Sequence, residues 1–163
     1  MPVIVFLYIL TLVYSISFYY PVEMYGAYQG APLINFILCH FIHINILHLI
    51  MNGSLIALYW KSLSRYNMKF VIPIVFVSSI LSAYLSAQET PTIGASSIVM
   101  SMIGVLCAFF SKSNKIRINI LVIATCLISG LLAQHINTYI HLYSFYISFA
   151  VSLLTRRFMY AKG

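Results

Sequence analysis

The chain has 163 residues, 62% of them hydrophobic and only 7% charged. A soluble domain carries roughly 25% charged residues, and a chain this small has too much surface to hide so much apolar material from water. A soluble globular protein is therefore excluded, and lipid must be the main solvent. The net charge of +7 would suit nucleic acid, but the basic residues fall in three clusters between or after apolar runs: Lys61, Arg65 and Lys69; Lys112, Lys115 and Arg117; Arg156, Arg157 and Lys162. They form no basic face and read as cytoplasmic loops, so no nucleic-acid partner is expected.

In lipid the backbone must pair with itself, which leaves helices or a closed barrel. The apolar runs are continuous rather than alternating, so helices are predicted. Six segments stand out, at 2–20, 40–60, 68–87, 95–111, 117–134 and 138–155, each near the roughly 20 residues needed to cross the hydrocarbon core. Residues 2–20 lack the positive start of a signal peptide and are long enough to span, so they read as a membrane helix. The longest connection runs from Pro21 to Cys39, with Gly26, Gly30 and two prolines. The remaining connections are short, which favours antiparallel neighbours in one bundle. With no internal repeat and no soluble second domain in view, residues 1–163 are expected to form a single membrane-embedded domain.

Charge gives the expected orientation. Every Lys and Arg lies in the second loop, the fourth loop or the C-terminal tail, while the only acids, Glu23 and Glu89, lie in the first and third loops. Six spans with both termini cytoplasmic satisfy this alternation at every loop. So small a core is expected in a bacterial inner membrane. The cysteines Cys39, Cys107 and Cys126 show no close pairing or metal-type spacing and read as small apolar fillers.

Polar side chains inside apolar spans are costly and mark candidate sites. In the second segment His48 and Asn52 are four residues apart and share a helix face, whereas His40 and His43 are expected nearer the interface. No carboxylate accompanies these histidines, so a zinc site has little support. Before the fourth segment, Pro91 and Gly94 lead into Ser96 at a helix start, where amide groups lack intrahelical partners and can face an anion; a serine there is more usually a cap. In the sixth segment His141 is followed on one face by Ser144 and Ser148, and Ser97 and Ser101 form a similar strip on the fourth. Two strips of small residues let helices approach closely, close enough for the hydrogen bond of about 2.6–3.2 Å that a nucleophile and its base require.

Together these groups could hydrolyse an amide, with Ser96 supplying the nucleophilic oxygen and His141 shuttling its proton. His48, Asn52 and the Ser96 backbone N–H could hold the tetrahedral oxyanion. The chain contains no Asp, and both Glu lie in loops, so a Ser–His dyad is expected rather than a triad. The first and fifth outer loops, the latter including Gln134 to Thr138, are placed to cover such a site.

His43-x-x-x-x-His48-x-x-x-Asn52, Gly94-x-Ser96 and His141, in that order on the second, fourth and sixth spans, resemble the rhomboid intramembrane serine proteases. The resemblance implies an all-α, polytopic six-helix bundle, a Ser96–His141 dyad and an oxyanion site with His48 and Asn52. It also implies transmembrane-helix substrates cut near the outer face, and no metal or organic cofactor. Four positions depart from the family pattern. Ser97 stands where the family usually has glycine after the serine, and Ser144 and Ser148 replace glycines that follow the histidine. Met100 occupies a place often held by an aromatic residue. The first loop also lacks the Trp-Arg element of many relatives. The competing readings are a proteolytically silent rhomboid-like protein that binds transmembrane helices and, from another class, a small transporter or channel. A transporter's polar residues should line a route to both faces, and here they cluster toward one.

Overall fold

The computed structural model of the chain describes residues 2–17, 21, 24–132 and 137–160. The expected ends of the first and fifth segments (18–20 and 133–134), Glu23 and residues 134–136 of the loop expected to cover the site lie outside these. Among the described residues there are seven helices and no strand. They are α1 (Pro2–Ser17), α2 (Asn35–Leu38), α3 (Ile46–Leu63), α4 (Met68–Leu85), α5 (Ser96–Ala108), α6 (Lys112–Leu132) and α7 (Thr138–Met159). Six are long and correspond to the six apolar segments; α2 is a single turn inside the first connection. Of these helices, α4 alone is by itself long and apolar enough to cross a membrane, while the apolar stretches of α1 and α5 are shorter.

The start of the second long helix differs from expectation for a local reason. The second helix begins at Ile46 rather than near residue 40, because Asn45 adopts an extended backbone and its side chain accepts the His48 amide at 2.8 Å, an N-cap in the usual sense. The sixth helix is capped in the same way by Asn137, which accepts from the Ile140 amide. By contrast, α5 has no side-chain cap: Ala95 occupies the capping position and Ser96 is the first helical residue. Ser96 therefore does not cap its own helix.

The innermost helix is α5, with ten of its 13 residues buried. It packs chiefly on α7 and also contacts α3, α4 and α6. Serines make this close packing possible. Ser101 Oγ donates to the Ser144 carbonyl at 3.3 Å and shares a 3.0 Å hydrogen bond with Ser79 Oγ on α4. A Cβ at Gly104 would overlap Ser148 Oγ and the Phe145 carbonyl, so α5 and α7 meet backbone to backbone there. Ser148 Oγ is satisfied within its own helix by the Ser144 carbonyl at 2.7 Å. The outer faces are apolar: Leu33 is 76% and Leu154 81% exposed, as expected of surfaces solvated by acyl chains rather than by water.

The two ends of the bundle differ. At one end the α3–α4 turn meets the end of α7: the Asn67 amide donates to the Met159 carbonyl at 2.8 Å, and Tyr66 stacks on Phe109 with ring centres 4.0 Å apart. Lys61, Arg65, Lys69, Arg156 and Arg157 are at this end. At the other end the first connection docks on the α4–α5 loop. Ala27 and Thr92 exchange backbone hydrogen bonds of 2.9 Å each way, Gln29 N–H donates to the Gln88 carbonyl at 2.8 Å, and Gly94 N–H donates to the Cys39 carbonyl at 2.8 Å.

Candidate active site

At the docked-loop end, Ser96 Oγ and His141 Nε2 lie 2.9 Å apart. Ser96 opens α5 and His141 lies in the first turn of α7, so two segments 45 residues apart in sequence meet at hydrogen-bond distance. Each position follows from local chemistry. The chain enters α5 through Gly94, whose φ of +116° suits glycine. It enters α7 through the Asn137 cap, one turn before His141.

His48 and Asn52 complete the surroundings. A Cβ at Gly94 would fall 2.8 Å from His48 Nε2 and 3.7 Å from Asn52 Nδ2. Both side chains thus lie against the residue two positions before Ser96, and the His48 ring fills space that only glycine leaves open. Asn52 is buried, and its Nδ2 has no hydrogen-bond partner among the described residues; the same is true of His48 Nδ1. Such unpaired buried polar atoms cost about 1–3 kcal/mol each, and each calls for an explanation. The backbone around them adds one more free donor. Among the described residues no acceptor takes the Ser96 N–H, as expected at a helix start.

His40 and His43 lie at the docked-loop end, inside the protein rather than on its surface. Both precede α3 and are buried, His40 at 1% and His43 at 4% exposure. His40 Nδ1 is 2.8 Å from Ser97 Oγ. His43 Nδ1 approaches the Phe41 carbonyl at 3.3 Å, so it carries the proton, and Nε2 is left to accept the Ala95 amide at 3.4 Å. His43 also packs edge-on against His48, with ring centres 5.1 Å apart. These two histidines thus bind the start of α5 from outside. The sequence signal that would have revealed this is Asn45: as a cap it moves the helix start past both histidines and leaves them on a docking loop.

The departures from the family pattern have separate outcomes. Ser97 does not join the α5–α7 strip; it bonds His40. Ser144 and Ser148 do face α5, with Gly104 supplying the missing space. Met100 packs in the cluster of Cys107, Val122, Cys126 and Phe145, between α5, α6 and α7. Among the described residues no three His, Cys, Asp or Glu side chains come together as a metal site would need. Sequence reasoning also missed Asn137 and Thr92, which are bonded to each other beside the site at 3.1 Å.

A family model described as the rhomboid domain matches residues 30–158. No curated protein and no solved structure matches the chain. The family match covers more than three quarters of the sequence, from the first connection through α7, and takes in both sides of the Ser96–His141 contact. The chain belongs to the rhomboid family and is an integral, multi-pass membrane protein of all-α architecture.

Proposed function

We propose that the chain is an intramembrane serine endopeptidase that hydrolyses peptide bonds in or near transmembrane helices of other membrane proteins. The observation that carries this reading is the 2.9 Å contact between Ser96 Oγ and His141 Nε2, made beside the unpartnered amide of Asn52. Ser96 O–H gives its proton to Nε2 as the oxygen attacks the scissile carbonyl carbon. The resulting oxyanion takes hydrogen bonds from the Ser96 N–H, His48 and Asn52. When the tetrahedral species collapses, the C–N bond breaks and His141 returns its proton to the departing amine. A water molecule, deprotonated by His141, then releases the acyl group as a carboxylic acid and restores Ser96. The scheme needs no metal or organic cofactor, and its partners are the substrate helix and the lipid bilayer.

Depth in the membrane supports the substrate class. With 13 residues, α5 is about 20 Å long, shorter than the ~30 Å hydrocarbon core. Its far end is held level with the α3–α4 turn by the Tyr66–Phe109 stack. On this reading we assign the shortfall to Ser96, below the membrane surface, where an unwinding helix end can reach it. We read the basic end as cytoplasmic, so that Ser96 lies toward the outer face and both termini inside, and we take residues 1–163 as one catalytic unit of a bacterial inner membrane.

The test is reconstitution in lipid with a panel of single-span substrates, alongside Ser96→Ala and His141→Ala. The parent is expected to cleave at least one substrate, and neither variant any. Cleavage that persists in Ser96→Ala removes the assigned nucleophile.

A further inference from the structure

We infer that Asn137 and Thr92 form a clamp that sets the distance between Ser96 and His141, a positioning role that rests on the protease reading. The Asn137 side chain is buried and makes hydrogen bonds in three directions, with both Nδ2 hydrogens used. Its Oδ1 accepts the Ile140 amide at 3.3 Å, and its Nδ2 donates to the Ser86 carbonyl at 2.9 Å and to Thr92 Oγ1 at 3.1 Å. The first bond starts α7. The other two join α7 to the end of α4 and to the loop that leads into α5.

The register gives this its meaning. Thr92 lies four residues before Ser96, and Asn137 four residues before His141. One hydrogen bond between these two side chains therefore spans the entries of both helices that carry the reacting groups. Thr92 is itself fixed from behind by its paired backbone bonds to Ala27. Among the described residues no carboxylate is bonded to the imidazole, so the Ser96–His141 distance depends on where the two helix starts are held. A slide of about 1 Å between them would carry a 2.9 Å contact beyond the hydrogen-bonding range. Neither Asn137 nor Thr92 touches the reacting atoms; both act through the helices they anchor.

A plain helix cap would give the same stability without setting this distance, and three variants separate the two roles. Asn137→Ser keeps a capping oxygen but is too short to reach both Ser86 and Thr92. Thr92→Val removes the hydroxyl at nearly constant shape, and Thr92→Ser restores it. The measurements, on the full chain in lipid, are the rate of Ser96 acylation by a fluorophosphonate, the thermal midpoint and the ¹⁵N resonances of the His141 ring, with Ser96→Ala as the reference for a lost contact. Asn137→Ser and Thr92→Val are each expected to slow acylation about tenfold, the size of one lost hydrogen bond, and to shift the His141 resonances toward the Ser96→Ala values. Thr92→Ser should stay within about twofold of the parent, and the double variant should fall well short of the roughly hundredfold loss that independent effects would give. Parent-like acylation and parent-like His141 resonances in Asn137→Ser and Thr92→Val, whatever their thermal midpoints, would overturn the clamp. If the parent itself is not acylated, the protease reading fails, and the His141 resonances still decide the clamp.

Discussion

Asn52 is a buried amide whose Nδ2, beside the entry to α5, has no partner among the described residues. Leaving such a group unsatisfied is unfavourable unless the bond is completed elsewhere in the working cycle. An oxyanion formed at Ser96 would complete it. Asn52→Ala should therefore lower kcat by about 10²–10³-fold, the usual cost of one oxyanion donor, while substrate KM changes little because the bond forms only in the transition state. An unchanged kcat would take Asn52 out of the oxyanion site. At this scale much was legible in the sequence. Ser96, His141, His48 and Asn52 stand out because polar groups in apolar runs carry a cost, and each falls on the helix expected for it. His40, His43, Asn137 and Thr92 were not legible as partners, because their contacts cross between loops and no periodicity encodes loop docking.

At the scale of elements, the bundle is organised by how closely α5 can approach α7. The strips of serine pointed to that approach, and Ser101, Ser144 and Ser148 do line it, with the tightest point at Gly104 against Ser148 Oγ and the Phe145 carbonyl. Gly104→Val should destabilise the protein by about 1–3 kcal/mol through overpacking, lowering the thermal midpoint and separating the two helices beneath the site. Ser148→Ala, which removes an oxygen whose two hydrogen bonds both lie within α7, should stay close to the parent. Equal midpoints for Gly104→Val and the parent would show that the helices part there freely. Helix existence was readable from apolar run length, whereas helix starts were set by side-chain caps at Asn45 and Asn137. A hydropathy window does not register a cap, which is why α3 begins six residues later than expected.

For the whole molecule, the separation of charge from the polar site is the controlling feature. Along α7, His141 and Arg156 are 15 residues apart, about 22 Å of helix, and His48 and Lys61 lie in the first and last turns of α3. If the basic end is cytoplasmic, a fluorescent protein fused after Gly163 should fold and fluoresce in the cytoplasm. A cysteine at the exposed Gln29, on the docked-loop end, should react with an impermeant maleimide from outside intact cells. The reverse pattern would place the site at the cytoplasmic face. The six-span count and the alternation of loop charge were legible because both follow from the energetics of lipid. The docking of the first connection on the α4–α5 loop was not, since it rests on backbone bonds at Ala27, Gln29 and Gly94, whose partners no side-chain pattern announces.

The central claim is that Ser96 is a nucleophile made reactive by His141. The most direct measurement is to treat the protein in lipid with a fluorophosphonate, which forms a stable bond to an activated serine, and to map the adduct by mass spectrometry. The account predicts one adduct, on Ser96, that is lost in His141→Ala. An adduct on Ser97 instead, or labelling of Ser96 that survives removal of the imidazole, would contradict it.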